Sequence, residues 1–146
     1  MWLGLETTTS TGGVALIQGE DVLGEELLPE KIQFSRMLLP SITRLLSNTG
    51  TGREQISGIA VSAGPGSYTG VRIGLATASG LAAGLGVPLK CVETLRILSF
   101  STGLGEPVLA CIRARQGEVF ASLYSDGSFS ASQLIPPGVY TSGYIR

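Results

Sequence analysis

Two short segments carry the residues whose types and spacing bear on chemistry. The first is Glu6-Thr7-Thr8-Thr9-Ser10-Thr11-Gly12, a carboxylate followed at once by hydroxyls at the end of a short apolar run. That is the arrangement in which phosphate-handling proteins hold a nucleotide and its Mg²⁺. It reads equally as a Thr-rich hairpin turn with a solvated glutamate. The second is Gly64-Pro65-Gly66-Ser67-Tyr68-Thr69-Gly70, placed between an apolar run and a helical pattern, where backbone N–H groups and a helix dipole favour an anion. No Gly-Lys-Ser/Thr follows, so it is no Walker loop, and it does not match the dinucleotide fingerprint. Its structural reading is a helix cap, with Ser67 as the capping side chain and Arg72 reaching toward solvent or an acid.

Composition removes other chemistries. The chain has 146 residues and no histidine, so imidazole catalysis, His-ligated metals and Ser-His or Cys-His pairs are excluded within it. Its two cysteines, Cys91 and Cys111, stand in apolar runs and read as small buried thiols rather than a disulfide. Charged residues are only 14% and apolar ones 43%, which argues against disorder. Net charge is −1, with six acids and no base in residues 1–30, too weak a basic remainder for a nucleic-acid surface. The N-terminus lacks a basic segment and a continuous apolar one, so a cytoplasmic protein without a signal peptide is expected.

The elements that must position these segments follow from periodicity. Residues 2–6, 13–18 and 21–28 alternate as strands, with a Gly19-Glu20 hairpin and a stop at Pro29, predicting an antiparallel meander. The period then turns helical from Ser35, a candidate N-cap, to Asn48, with Leu38, Ile42, Leu45 and Leu46 on one face and Pro40 inside. A buried strand at 57–63, a helix over 68–85 closed by Gly86-Val87-Pro88, a strand at 89–92 and a helix at 94–100 come next. Strands at 108–112 and 118–124, a third over 128–135 and an irregular tail from 136 complete the pattern. Strand–helix alternation in the middle implies parallel pairing through right-handed crossovers, hence an α/β fold with a mixed, helix-covered sheet.

The helix over 68–85 lies in a stretch from Gln55 to Leu89 whose one charge is Arg72. Its uncharged part is too short and too interrupted by glycine, serine and threonine for a membrane span. Gly70, Gly74, Ala78, Ala82 and Gly86 form one row of small residues and Ala76, Gly80 and Gly84 a second. Each interior glycine costs about 1 kcal/mol against alanine, so another backbone must approach closely. From spacing alone, the protein's own sheet or first helix is the favoured neighbour, ahead of another subunit.

The phrase running from Gly64 to Gly74, after Ser57-Gly-Ile-Ala-Val-Ser-Ala63, resembles the signature of the TsaB (YeaZ) family, relatives of the glycoprotease-like TsaD proteins. The opening hairpin, the Ser35–Leu46 helix with its Leu-Leu-Pro, and Ala114-Arg115-Gln116-Gly117-Glu118-Val119-Phe120 agree with it. Where the family usually has an aspartate, a histidine and an acid, this chain has Glu6, Phe34 and Arg113.

The resemblance implies an actin-like ATPase fold of ribonuclease-H-like lobes, here an N-terminal lobe at 1–104 and the start of an incomplete second lobe at 105–146. It implies a non-catalytic subunit in making N6-threonylcarbamoyladenosine at position 37 of tRNA, with no catalytic and no metal-binding residues of its own. TsaD is the expected partner and TsaE, an ATPase, joins them; a homodimer is expected in isolation and tRNA contact only indirectly. The implied interface comprises the two helices, especially Leu38, Ile42, Leu45, Gly70, Arg72, Gly74 and Ala78. This raises the interface reading of the small-residue row, and Gly74→Leu is then expected to disrupt association while leaving the monomer folded. No cofactor is expected in this chain, with ATP and Mg²⁺ entering at the level of the complex; Glu6, Thr7 and Thr8 are the candidates for a residual nucleotide site. The alternative is an independent Mg-ATP-dependent kinase of the actin-like superfamily using the same three residues, against which the short second lobe weighs. A metallopeptidase fails for want of histidines.

Overall fold

The computed structural model describes residues 1–28, 34–103 and 105–136. The chain divides into two compact units, Met1–Val92 and Glu93–Arg146. In the first, β1 (Trp2–Glu6), β2 (Gly12–Gln18) and β3 (Asp21–Leu28) form the antiparallel meander, with Gly19 at φ +63° in the tight turn between β2 and β3. Helix α1 (Phe34–Asn48), strand β4 (Gly58–Ser62), helix α2 (Tyr68–Leu85) and strand β5 (Leu89–Val92) follow. The sheet order is β3-β2-β1-β4-β5, with β4 parallel to both β1 and β5. This is the mixed sheet of a ribonuclease-H-like lobe, and each crossover is made by a helix, as parallel neighbours require.

Alternation along the strands decides the core. Leu3, Leu5, Val14, Leu16, Ile59 and Val61 project from one sheet face and are essentially buried. Leu38, Ile42 and Leu45 of α1 and Ala78 and Ala82 of α2 cover them. Ser41 is buried beside them and accepts a hydrogen bond from Arg44 Nη2 (2.8 Å). Pro40 sits inside α1 without a backbone donor, and Thr43 Oγ1 donates to the Leu39 carbonyl next to it (3.1 Å). Helix α1 already includes Phe34 and Ser35, so Ser35 is not its cap. The stop at Pro29 and the tail 137–146 lie outside the described residues.

In the second unit α3 (Thr94–Ser101) packs on β6 (Val108–Arg113) and β7 (Val119–Ser125). It thus groups with the later strands rather than closing the first lobe, as a boundary at 104 would require. The single strand anticipated over 128–135 is two, β8 (Ser128–Phe129) and β9 (Gln133–Ile135), both antiparallel to β7. Ser130 causes the break: its Oγ accepts from Leu123 N (2.9 Å) and its carbonyl accepts from Ser122 Oγ (2.8 Å), which replaces part of the ladder by side-chain bonds. Phe100, Tyr124 and Phe129 cluster, with the last two rings stacked at 4.5 Å and Arg96 4.8 Å above Phe129. Both cysteines are exposed, not buried: Cys111 falls on the outward alternation of β6, and Cys91 lies on β5, the last strand of its sheet.

Candidate functional site

The two segments singled out by their chemistry meet in the first unit. The β1–β2 turn lies against the loop that leads into α2, and Ser67 N donates to the Thr8 carbonyl at 2.7 Å. Thr7 Oγ1 donates to the Gly70 carbonyl, also at 2.7 Å, and this contact is buried. Ser67 caps α2 as its sequence position predicts, its Oγ accepting from Gly70 N at 3.2 Å. The glycines permit this closeness. A Cβ at Gly66 would overlap the Thr8 carbonyl oxygen and one at Gly70 the Thr7 carbonyl oxygen. A Cβ at Gly74 would overlap Thr7 Oγ1 and reach Val61 at 3.4 Å. The glycine signature is therefore a socket for the Thr7-Thr8 turn.

Glu6 organises that turn from the end of β1. Its Oε1 accepts from Thr8 N (2.5 Å), Thr8 Oγ1 (2.6 Å) and Thr9 N (3.2 Å), a small nest of donors that holds the backbone in its bend. Its Oε2 is buried without a hydrogen-bond partner among the described residues. Phe34 lies over Gly12, where an added Cβ would come within 2.5 Å of its ring.

A nucleotide with Mg²⁺ would meet threonine hydroxyls that are already bonded within the fold. Thr7 and Thr8 are 0% and 1% exposed, and both hydroxyls already serve the fold. The Thr7 and Thr8 carbonyls lie directly against Gly70 and Gly66 of the glycine loop. Among the described residues no three acids or cysteines gather as a metal site.

The structure divides the seven residues anticipated at a partner interface. Leu38, Ile42 and Leu45 are 1%, 5% and 3% exposed and belong to the core under α1. Gly70, Gly74 and Ala78 are also buried and face the protein's own sheet, so six of the seven are corrected from interface to internal packing. The Gly74→Leu expectation is reversed with them: a leucine there strikes Thr7 and Val61 and would unfold the unit. Only Arg72 of the seven points outward, its guanidinium 5.4 Å above the Tyr68 ring.

What α1 and α2 do offer outward is a different set. On α2 it is Tyr68, Arg72, Ala76, Ser79, Gly80, Ala83 and Gly84, all exposed. Added Cβ atoms at Gly80 and Gly84 would meet nothing within 4 Å. Leu39 on α1 is 54% exposed, an apolar side chain turned away from the core. Arg44, also on α1, is paired with Glu26 of β3, and that guanidinium together with Ser41 holds the Glu26 carboxyl below its usual range. Arg72 has no such acid partner among the described residues. The outward row was visible in the sequence as the second small-residue row, but its spacing matches the first. What distinguishes them is that both early positions of the inward row are glycine, while the outward row starts at Arg72.

No helix among the described residues is long and apolar enough to cross a membrane. The family model of TsaD, described as tRNA N6-adenosine threonylcarbamoyltransferase, matches residues 26–140. The chain is 33% identical over 138 residues to the tRNA threonylcarbamoyladenosine biosynthesis protein TsaB of Bacillus subtilis, covering 92% of this chain and 59% of that protein. With TsaB of Haemophilus influenzae it shares 37% over 124 residues, covering 82% of this chain and 52% of the relative. The chain thus spans a little over half the length of these relatives. Among solved structures it is similar to YeaZ from Pseudomonas aeruginosa, with a TM-score of 0.86 and 29% identity over 99% of this chain and 71% of that one. The family model, the relatives and the structural likeness together establish that the chain belongs to the TsaB/YeaZ family, within the wider group that the TsaD model describes.

Proposed function

We propose that this chain serves tRNA threonylcarbamoyladenosine biosynthesis as a non-catalytic subunit that docks on a TsaD-type transferase through the outward faces of α1 and α2. The observation that carries the reading is the uncovered row Arg72, Ala76, Gly80 and Gly84. It leaves a helix surface nearly free of side chains, against which another helix backbone can approach closely. The Arg72–Tyr68 pair stands at its start, an arginine and a tyrosine of the types that carry energy at interfaces, and Leu39 is an exposed apolar side chain on α1. Relatives named for the same biosynthesis support the pathway. A catalytic role is disfavoured by the chemistry present. The chain has no histidine, and the hydroxyls of Thr7 and Thr8 are committed to holding α2. The kinase alternative is weakened for the same reason, since Glu6 Oε1 and the Thr7 and Thr8 hydroxyls that it would use are bonded within the turn and to α2.

In this reading the transferase, TsaE and any ATP and Mg²⁺ belong to the complex, and tRNA is met through the partner, in the cytoplasm. The same face would pair two copies when no transferase is present. The test is light scattering on size-exclusion chromatography, with the chain alone and mixed with its cognate TsaD-type protein, followed by tRNA modification with and without the chain. A mixed complex that displaces any homodimer and a rise in modified tRNA are expected. No complex, with the chain binding ATP alone, would overturn it.

A further inference from the structure

Helix α2 presents two rows of small residues on opposite sides, about 200° apart at 100° per residue. Ile73, Leu75, Leu81 and Leu85 are all partly buried against the core and flank the inward row. Apolar burial therefore changes little when α2 turns or slides by a fraction of a turn, and Ala78 and Ala82 present a smooth surface to the sheet. Something else must choose the register. At the helix's first turns Thr7 Oγ1 enters a notch formed by Gly70 and Gly74, donating to the Gly70 carbonyl, while Ser67 N is tied to the Thr8 carbonyl. Gly70, in the same turn, has its N–H held by Ser67 Oγ. The notch admits Thr7 only where both residues facing it lack a Cβ, and 70 and 74 are the one pair four apart in α2's first half that does.

We infer that Thr7 is a positioning residue: it pins the rotational and axial register of α2, and so selects which small-residue row is held on the sheet and which is offered outward. The docking consequence rests on the function proposed above; the pin itself does not. Glu6 contributes by fixing the turn that carries Thr7, its Oε1 bonded to the Thr8 amide and hydroxyl.

The test uses the full chain with Ala82→Cys as an inward probe (7% exposed in the parent residue) and Ala83→Cys as an outward one. Ser41→Cys, at a buried position of α1, reports general opening. Iodoacetamide labelling is read by peptide mass spectrometry, which separates each probe from Cys91 and Cys111. In the Thr7→Val background the inward probe should label about tenfold faster, the scale of one buried hydrogen bond, with the Ser41 probe unchanged. Thr7→Ser, which keeps the hydroxyl, should retain the parent protection. Equal labelling of the inward probe in Thr7 and Thr7→Val overturns the pin, as does an equal gain at the Ser41 probe or loss of protection in Thr7→Ser. Should Thr7→Val fail to fold by circular dichroism, the double variant Thr7→Ala with Gly74→Ala replaces the hydroxyl by a methyl in the same notch and carries the same comparison. Alongside, Ala76→Trp and Thr7→Val are titrated against the TsaD-type partner. Unchanged binding by Ala76→Trp defeats the docking reading while the labelling still judges the pin. Weakened binding by Ala76→Trp with full-strength binding by Thr7→Val defeats the pin alone.

Discussion

Replacing Gly70 by alanine puts a methyl carbon into the Thr7 carbonyl oxygen and 3.0 Å from the carbonyl carbon behind it. Carbon atoms rest at about 3.5–4.0 Å, so the first turn of α2 must retreat by about 1 Å. That displacement carries the 2.7 Å bond from Thr7 Oγ1 to the Gly70 carbonyl, and the 2.7 Å bond from Ser67 N to the Thr8 carbonyl, beyond bonding range. Thr7 is fully buried, so its hydroxyl has no water to turn to; losing these contacts costs about 1–3 kcal/mol for each buried group left unpaired. Alanine's better helix propensity returns about 1 kcal/mol. With one group unpaired in each of the two contacts, the net is a loss of about 1–5 kcal/mol. Gly84→Ala is the matched control. It lies in the same helix with nothing within 4 Å of the added methyl, so it should gain about 0.5–1 kcal/mol. Urea unfolding followed by circular dichroism reads both midpoints. Equal effects of the two substitutions, or a stabilised Gly70→Ala, would refute the socket.

Three further outcomes follow from the same geometry. Leu38→Ala, at a position 1% exposed between α1 and the sheet, should cost about 2–5 kcal/mol in the same denaturation measurement and leave a folded chain only if the remaining stability exceeds that loss. The Glu26 carboxyl, held below its usual value of 4.5 by Arg44, stabilises the fold above that pH and loses its contribution as pH falls through the lowered value. Because the pair is open to solvent the effect is small; thermal melts at pH 6 and pH 3 should show it, and Arg44→Met should remove the difference that Glu26 makes. Both cysteines should react with a thiol reagent in the native chain. Burial pushes the Cys111 thiol up, so its labelling rate should keep rising at pH values above those at which an ordinary thiol levels off.

The elements were legible where their signals are local. Helix α2 runs from Tyr68 to Leu85 as its capping serine and its Gly86-Val87-Pro88 stop require, because both caps are satisfied by neighbours in sequence. The meander and β5 are of the same kind, fixed by alternation and tight turns. The start of α1 at Phe34 was not legible, since Ser35 has the type of a cap without occupying one. Nor was the break at Ser130, which depends on Leu123 and Ser122 of the neighbouring strand.

The candidate site divides along the same line. That Glu6, the threonine turn and the glycine loop matter was plain from residue types, and the family resemblance was carried by the same loop. Their relation was not, because Thr7 and Gly70 are 63 residues apart and nothing local announces their bond. Sequence by itself determined the α/β class, the mixed sheet, the bounds of α2 and the absence of imidazole chemistry, all of which follow from composition and from signals local to one element or its caps. Only the tertiary structure decided that Leu38, Ile42, Leu45, Gly70, Gly74 and Ala78 are core, that Ala76, Gly80 and Gly84 face outward, and that the threonine hydroxyls are bonded within the fold. The two rows share one spacing, and which of them lies on the sheet is decided where β1 delivers Thr7 to the notch that Gly70 and Gly74 leave in α2.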